Sequence, residues 1–244
     1  MISCVSFETV KIVDPIKFYK ADKAYLLHTA DRDIYKKFLD EVTKRIEELK
    51  IECIPIKTTI YEFSPVLKEL IDIISKEKEL GNHVYVNVEA GPQVYGAAAI
   101  IACMMEGATP FFVGTKRFQV KETEYFDHDT PVGLSAEVYD PKEVPTFKLK
   151  PPNRSEVKAL RIWNEKYSKG HSTTDNSIIE SLEREGLMKD ILDEGSRKIS
   201  YKAKMGYRRK FLDRWIANKW VQRTDRGKYE ITEFGKVAVE VFKE

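Results

Sequence analysis

Five short apolar runs, separated by stretches of helical periodicity, constrain this chain more than any other feature. ISCVSF (2–7), KAYLLHT (23–29), IECIPIK (51–57), HVYVNVE (83–89) and TPFFVG (109–114) are rich in β-branched and aromatic residues, as strands covered on both faces must be. Between the second and third runs, Tyr35, Leu39, Val42, Ile46 and Leu49 recur at the spacing of one helix face. Such alternation predicts an α/β fold with a parallel, Rossmann-like sheet in the order 3-2-1-4-5. Pro55 agrees with that order, because proline cannot donate to a central ladder and the third strand lies at an edge.

The pattern changes after Gly114. FQVKETEY, AEVYD and PTFKLK are short extended segments broken by Asp, Pro and Gly, and are expected to be antiparallel additions or a connecting arm. Pro151-Pro152 then makes a stiff break, and Asn153 with Glu156 three residues later signals a helix start. The expected domains are therefore residues 1–150 and 151–244. The second has helical patterns at 154–168 and 175–187, then the amphipathic ISYKAKMGYRRKFLDRWIANKW. Two short β-like runs in VQRTDRGKYEI follow, with a turn at Asp225-Arg226-Gly227, and Thr232 opens a last helix. Helix, basic helix, hairpin, helix is the plan of a winged helix-turn-helix domain. The helix preceding the basic one is either 175–187 or 188–197.

Charge separates the two halves. Between Ser200 and Lys228 there are ten basic residues against Asp213 and Asp225, a local +8 that leaves −6 elsewhere in a chain of net charge +2. A basic helix feeding a basic hairpin suits double-stranded DNA. The candidate contacts are Lys202, Lys204, Tyr207, Arg208 and Arg209 on the helix, with Arg223, Arg226 and Lys228 on the hairpin. Tyr207 also falls on the apolar face with Phe211 and Trp215. The plainer alternative is that these charges solvate a helix face.

In the first half, Glu89-Ala90-Gly91-Pro92-Gln93 lies between the fourth strand and a helix, at the carboxyl end of the sheet, where open α/β folds bind ligands and backbone amides meet phosphates. Gly91 permits close approach or positive φ, and Pro92 suits the first helical position. Glu89 would repel a phosphate and is expected to point away or to meet a ribose or base edge. There is no G-x-G-x-x-G fingerprint and no P-loop.

His28, His83, His128 and His171 are scattered, without metal-ligand spacing. His28 alone is expected at the ligand edge, but a lone histidine is usually structural, so no catalytic residue, metal or cofactor is assigned. Cys4, Cys53 and Cys103 sit in apolar surroundings and read as reduced thiols. No leader or membrane-length apolar run occurs, so the expectation is a cytoplasmic protein. Composition, 42% hydrophobic and 33% charged, is that of a globular chain.

FETVKIVDPIKFYKADKAYLL, VNVEAGPQVYGAAAIIACMMEG and the terminal YEITEFGK together resemble the CARF (CRISPR-associated Rossmann fold) winged-helix transcription regulators of archaea, over nearly the whole chain. The resemblance implies a homodimer with a cyclic oligoadenylate, or a related nucleotide, across the dimer axis. By position it assigns Ser6, Phe7 and Glu8 to the first binding loop, Glu89, Ala90, Gly91, Pro92 and Gln93 to the second, and Thr29 beside them. The family turn commonly reads Gly-Gly-Thr and then a basic residue; here it is Ala90-Gly91-Pro92-Gln93. The alternative function within this resemblance is a ring nuclease that cleaves the cyclic oligoadenylate.

Overall fold

All five apolar runs form strands. In the computed structural model of the protein, β1 (Ile2–Cys4) leads to α1 (Val10–Tyr19), then β2 (Lys23–His28), α2 (Asp33–Glu48), β3 (Glu52–Lys57), α3 (Phe63–Glu79), β4 (Tyr85–Asn87), α4 (Gln93–Glu106) and β5 (Thr109–Phe112). The structure describes residues 1–29, 33–119, 126–127, 130–193, 198–224 and 228–242. The strands run parallel in the order β3-β2-β1-β4-β5, a Rossmann-like arrangement. Pro55 lies in β3 at the sheet edge, opposite Leu26, where its missing N–H breaks no ladder.

The order reverses between β1 and β4. With right-handed crossovers, that reversal sends α1 and α2 to one face and α3 and α4 to the other. α1 packs on α2, and α3 along α4. Phe38, Val42 and Ile46 of α2 join Ile12, Val13 and Ile16 of α1 in one apolar layer. Small residues set the opposite layer: a Cβ on Gly96 would come within 2.6 Å of the Val88 carbonyl oxygen.

The segments after Gly114 make a β arm: β6 (Thr115–Phe118), β7 (Phe126–Asp127), β8 (Thr130–Pro131), β9 (Ser135–Val138) and β10 (Lys142–Glu143). β6 pairs antiparallel with β9, β7 with β8, and β10 with β5, covering the second sheet edge. PTFKLK contributes no strand, and most of FQVKETEY lies outside the described residues.

The chain divides into two units, Met1–Lys150 and Pro151–Glu244. The second begins at α5 (Arg154–Ser168), where Asn153 Oδ1 accepts from the Ser155 amide at 2.9 Å. Glu156 does not complete a capping box. It is buried and pairs with Arg214, while its carbonyl accepts from Trp215 Nε1 at 3.0 Å. α6 (Asp175–Arg184) follows. Between α6 and Ser200 the described residues hold no helix, only a bridge from Leu192 to Ile199.

The basic stretch is α7 (Tyr201–Tyr207), a π-helical turn (Arg208–Leu212) and α8 (Asp213–Ala217), with Asp213 N–H donating to the Arg208 carbonyl. Its large apolar residues Tyr207, Phe211 and Trp215 recur every four residues, more than one α-helical turn. A π turn widens the helix and keeps all three buried. β11 (Val221–Arg223) and β12 (Tyr229–Ile231) form a hairpin, with its tip at 225–227 outside the described residues. Thr232 Oγ1 then caps α9 (Glu233–Val241) by accepting from Gly235 N–H at 3.1 Å.

Gly235 fits because it has no side chain: a Cβ there would sit 2.2 Å from the Trp220 carbonyl oxygen. Gly235→Ala is therefore expected to lower the stability of this unit by about 1–3 kcal/mol. Gly206→Ala, whose Cβ would find only Met188 Cε at 3.9 Å, is expected to raise it by up to about 1 kcal/mol through helix propensity. Urea unfolding followed by tryptophan fluorescence measures both, and equal effects would contradict this packing.

Candidate functional site

The site is assembled where β1 and β4 end side by side, and it starts from a proline. Pro15 sits inside α1. Lacking an N–H, it leaves the Lys11 carbonyl one turn earlier without its helical donor. Asn87, fully buried at the end of β4, fills that place: its Nδ2 donates to the Lys11 carbonyl at 2.8 Å. The same amide accepts the Glu89 backbone N–H through Oδ1 at 3.1 Å, which bends the chain into the turn.

The Lys11 side chain supplies a second tie. Its ammonium donates to Glu89 Oε1 at 2.9 Å and lies 3.9 Å from Glu8 Oε1. Glu89 Oε2 accepts from Val113 N–H at 3.0 Å. Both oxygens of Glu89 are thus engaged and its charge is balanced by Lys11, so this carboxylate does not stand bare before the start of α4.

Ser6 Oγ closes the gap between loop and turn by donating to the Ala90 carbonyl at 2.9 Å. Ala90 is buried. Gly91 serves close approach and not positive φ: a Cβ there would lie 2.7 Å from Cys4 Sγ and 2.9 Å from the Tyr95 ring. Pro92 is the N-cap residue and not the first helical one, and Gln93 begins α4 exposed to solvent. No side chain caps this helix, so its dipole and first amides face the loop end.

Phe7 packs on the rings of Tyr35 at 5.0 Å and Phe38 at 5.7 Å, serving the core as much as the loop. Thr29 and His28 are both buried at the end of β2. Glu8 is buried as well, and it binds the β arm: its carboxylate accepts from Ser135 N–H at 3.2 Å and Ser135 Oγ at 2.9 Å. Gly133, at φ +86, lies against the Phe7 and Glu8 backbone where no Cβ fits.

Sequence reasoning missed Lys11, Asn87 and Ser135. The one signal for the first two was Pro15, four residues after Lys11, which demands an outside donor. Nothing local pointed to Ser135, since it meets Glu8 across 127 residues. His83 and Thr109 share a contact of 3.3 Å elsewhere, and His128 lies outside the described residues. Among the described residues no group of three or more His, Cys, Asp or Glu is placed to hold a metal. The cysteines are free thiols, with Cys4 and Cys103 buried; burial pushes the Cys103 thiol up to about 12.

In the second unit Lys202, Lys204, Arg208, Arg209, Arg223 and Lys228 are exposed. Arg208 Nε is 3.4 Å from Asp213 Oδ1. Tyr207 is 1% exposed, and this removes it from the candidate DNA contacts: its place on the apolar face wins. Arg226 lies outside the described residues. Two other cations have internal duties, Lys210 donating to the Leu187 carbonyl at 3.0 Å and Arg214 pairing with Glu156. Among the described residues no helix is long and apolar enough to cross a membrane.

Residues 1–118 match the family described as HFX_2341_N:-like, N-terminal. No curated protein matches the chain. Among solved structures it is similar to Can2 from Sulfobacillus thermosulfidooxidans in complex with cyclic tetra-adenylate, at 13% identity and a TM-score of 0.39 over 97% of this chain. It is also similar to protein VC1899 from Vibrio cholerae, at 12% identity and 0.39 over 98%. A third is Enterococcus italicus Csm6 bound to cyclic hexa-2'-fluoro-hexa-dAMP, at 10% identity and 0.42 over 89%. The matches span 61%, 63% and 54% of those longer chains.

Burial pushes the Glu8 carboxyl above the ordinary 4.5, against the opposing pull of the Ser135 donors and Lys11. The folded state therefore holds this proton at a pH where the unfolded chain has released it. Stability from Glu8 is present below pH 4.5 and is lost as pH rises through the raised folded value. Glu8→Gln is expected to flatten that fall, measured as the difference in urea unfolding free energy between variant and parent at pH 5 and pH 8. A pH-independent difference would contradict it.

Proposed function

We propose that the protein is a homodimeric, ligand-responsive DNA-binding regulator that takes a cyclic oligoadenylate or related nucleotide at the β1 and β4 ends. The observation that carries this reading is the Ser6–Ala90 hydrogen bond. It joins the loop after β1 to the turn after β4, at the strand-order reversal and beside an uncapped helix start, where α/β folds receive phosphates. The ligand class comes from the sequence resemblance. Lys11 is a cation in contact with the turn through Glu89, which already engages it, and would take the place of the basic residue that the turn itself lacks.

Val94, Ala97 and Ile101 run along α4 beside the turn and keep part of their surface open. A second copy of the chain would cover that apolar strip and bring two turns to one cleft. Ligand then favours one dimer arrangement over another through differential binding, and DNA affinity follows.

The second unit is read as a winged helix-turn-helix domain, with α7 to α8 entering the major groove and the β11–β12 hairpin as wing. Among the described residues no ion pair engages Lys202, Lys204 or Arg209. Arg209→Ala is therefore expected to weaken duplex DNA binding more than Arg208→Ala, whose side chain Asp213 already engages. The double variant should also reduce the slope of log affinity against log salt by about 1–2. Gel-shift titrations at several salt concentrations measure this, and an unchanged slope would remove the basic helix as the reader.

The ring-nuclease reading differs by turnover. Calorimetry with cyclic tetra-adenylate is expected to show binding that falls when Lys11 is changed to Met, and chromatography to show the ligand intact. Linear products lost in a His28→Ala variant would replace the sensor with the enzyme.

A further inference from the structure

Beside the hairpin, the second unit holds a cavity of about 490 Å³ that the basic helix does not line. One wall is the end of α5 and the segment Gly170–Thr173; the other is the hairpin at Thr224, Lys228 and Tyr229. Among the described residues no carboxylate lines it. The lining includes Lys228, His171 and Thr173, whose ammonium, imidazole and hydroxyl are a set weighted towards donors that suits an anion. An adjoining hollow that shares His171 is different, because Glu165 and Glu185 enter its lining.

Its framework is held in place. Tyr167, 45% exposed, stacks at 5.2 Å and 9° on Trp163, which is itself buried. Its ring is thus a platform fixed from behind, and Tyr229 stands on the hairpin side. Thr224 N–H and Oγ1 both donate to the Lys228 carbonyl, at 2.7 and 3.2 Å, fixing the backbone from which the Lys228 side chain springs. Gly170, at φ +69, has open space where a Cβ would be. The volume exceeds what a simple anion needs and falls within the range for a small organic ligand.

We propose that this cavity seats a phosphate group of a nucleotide: Lys228, His171 and Thr173 take the phosphate, and Tyr167 takes the base or sugar. The phosphate is that of a free mononucleotide or of the backbone of bound duplex DNA. The second source rests on the DNA-binding reading above, and the first does not.

The test follows backbone amide NMR shifts of the full chain titrated with adenosine monophosphate at millimolar concentration and, separately, with duplex DNA. Saturable shifts at Gly170, His171, Thr173 and Thr224 are expected, with affinity reduced about tenfold by Lys228→Gln. Thr173→Val is expected to act in the same direction. Shifts with the monophosphate assign a free nucleotide, and shifts with the duplex alone assign a backbone phosphate. Duplex shifts confined to α7, with none from the monophosphate, would overturn the cavity and leave the DNA reading standing. A duplex that moves neither region would sink the DNA reading, and the monophosphate arm would still decide the cavity. Unchanged affinity in both variants would also overturn it.

Discussion

The first unit depends on a carbonyl that its own helix cannot satisfy. Pro15 removes the donor that Lys11 would receive in α1, and a buried carbonyl without a donor costs roughly 1–3 kcal/mol. Asn87 meets that need from the neighbouring strand. The end of β4 is therefore tied to α1 before the turn begins, and the Lys11 side chain repeats the tie to Glu89. Two contacts from one residue fix the height of the turn against the loop. Ser6 then has only a short distance to span.

The same junction reaches the β arm. Glu8 takes both donors of Ser135, and Glu89 takes the Val113 amide. Burial raises the Glu8 carboxyl first, and the Ser135 donors and Lys11 only partly oppose it. Lys11 is already engaged by Glu89 and lies beside Glu8, so a polyanion approaching the start of α4 would be attracted by helix amides and not by this ammonium. Any ligand there is held by geometry and hydrogen bonds more than by net charge.

In the second unit, packing sorts the basic residues by duty. Lys210 and Arg214 hold the helix to its surroundings, while Lys202, Lys204 and Arg209 remain at the surface. The π turn contributes to that sorting. By keeping Tyr207, Phe211 and Trp215 on the buried side, it presents Arg208 and Arg209 outward. A count of charge along the sequence mixes these classes, because it cannot see which ammonium or guanidinium finds an internal acceptor.

Local and periodic features were legible in the sequence. Apolar runs marked the five parallel strands, Pro55 agreed with an edge position for β3, and Asn153 and Thr232 marked helix starts, since each depends on neighbours within a few residues. Pro92 was misplaced by one position, because a cap is defined by the backbone angles of a single residue. Glu156 was read as half of a capping box, but a guanidinium 58 residues later holds it instead. Tyr207 went to the core because burying a large ring outweighs the use of its hydroxyl. The amino-acid order by itself determined the alternation of strand and helix, the sheet order and the placement of charge in one region. Only the tertiary structure decided that Lys11, Asn87, Glu8 and Ser135 meet around the turn, because contacts between residues as much as 127 positions apart are set by the packing of layers and leave no local period to read.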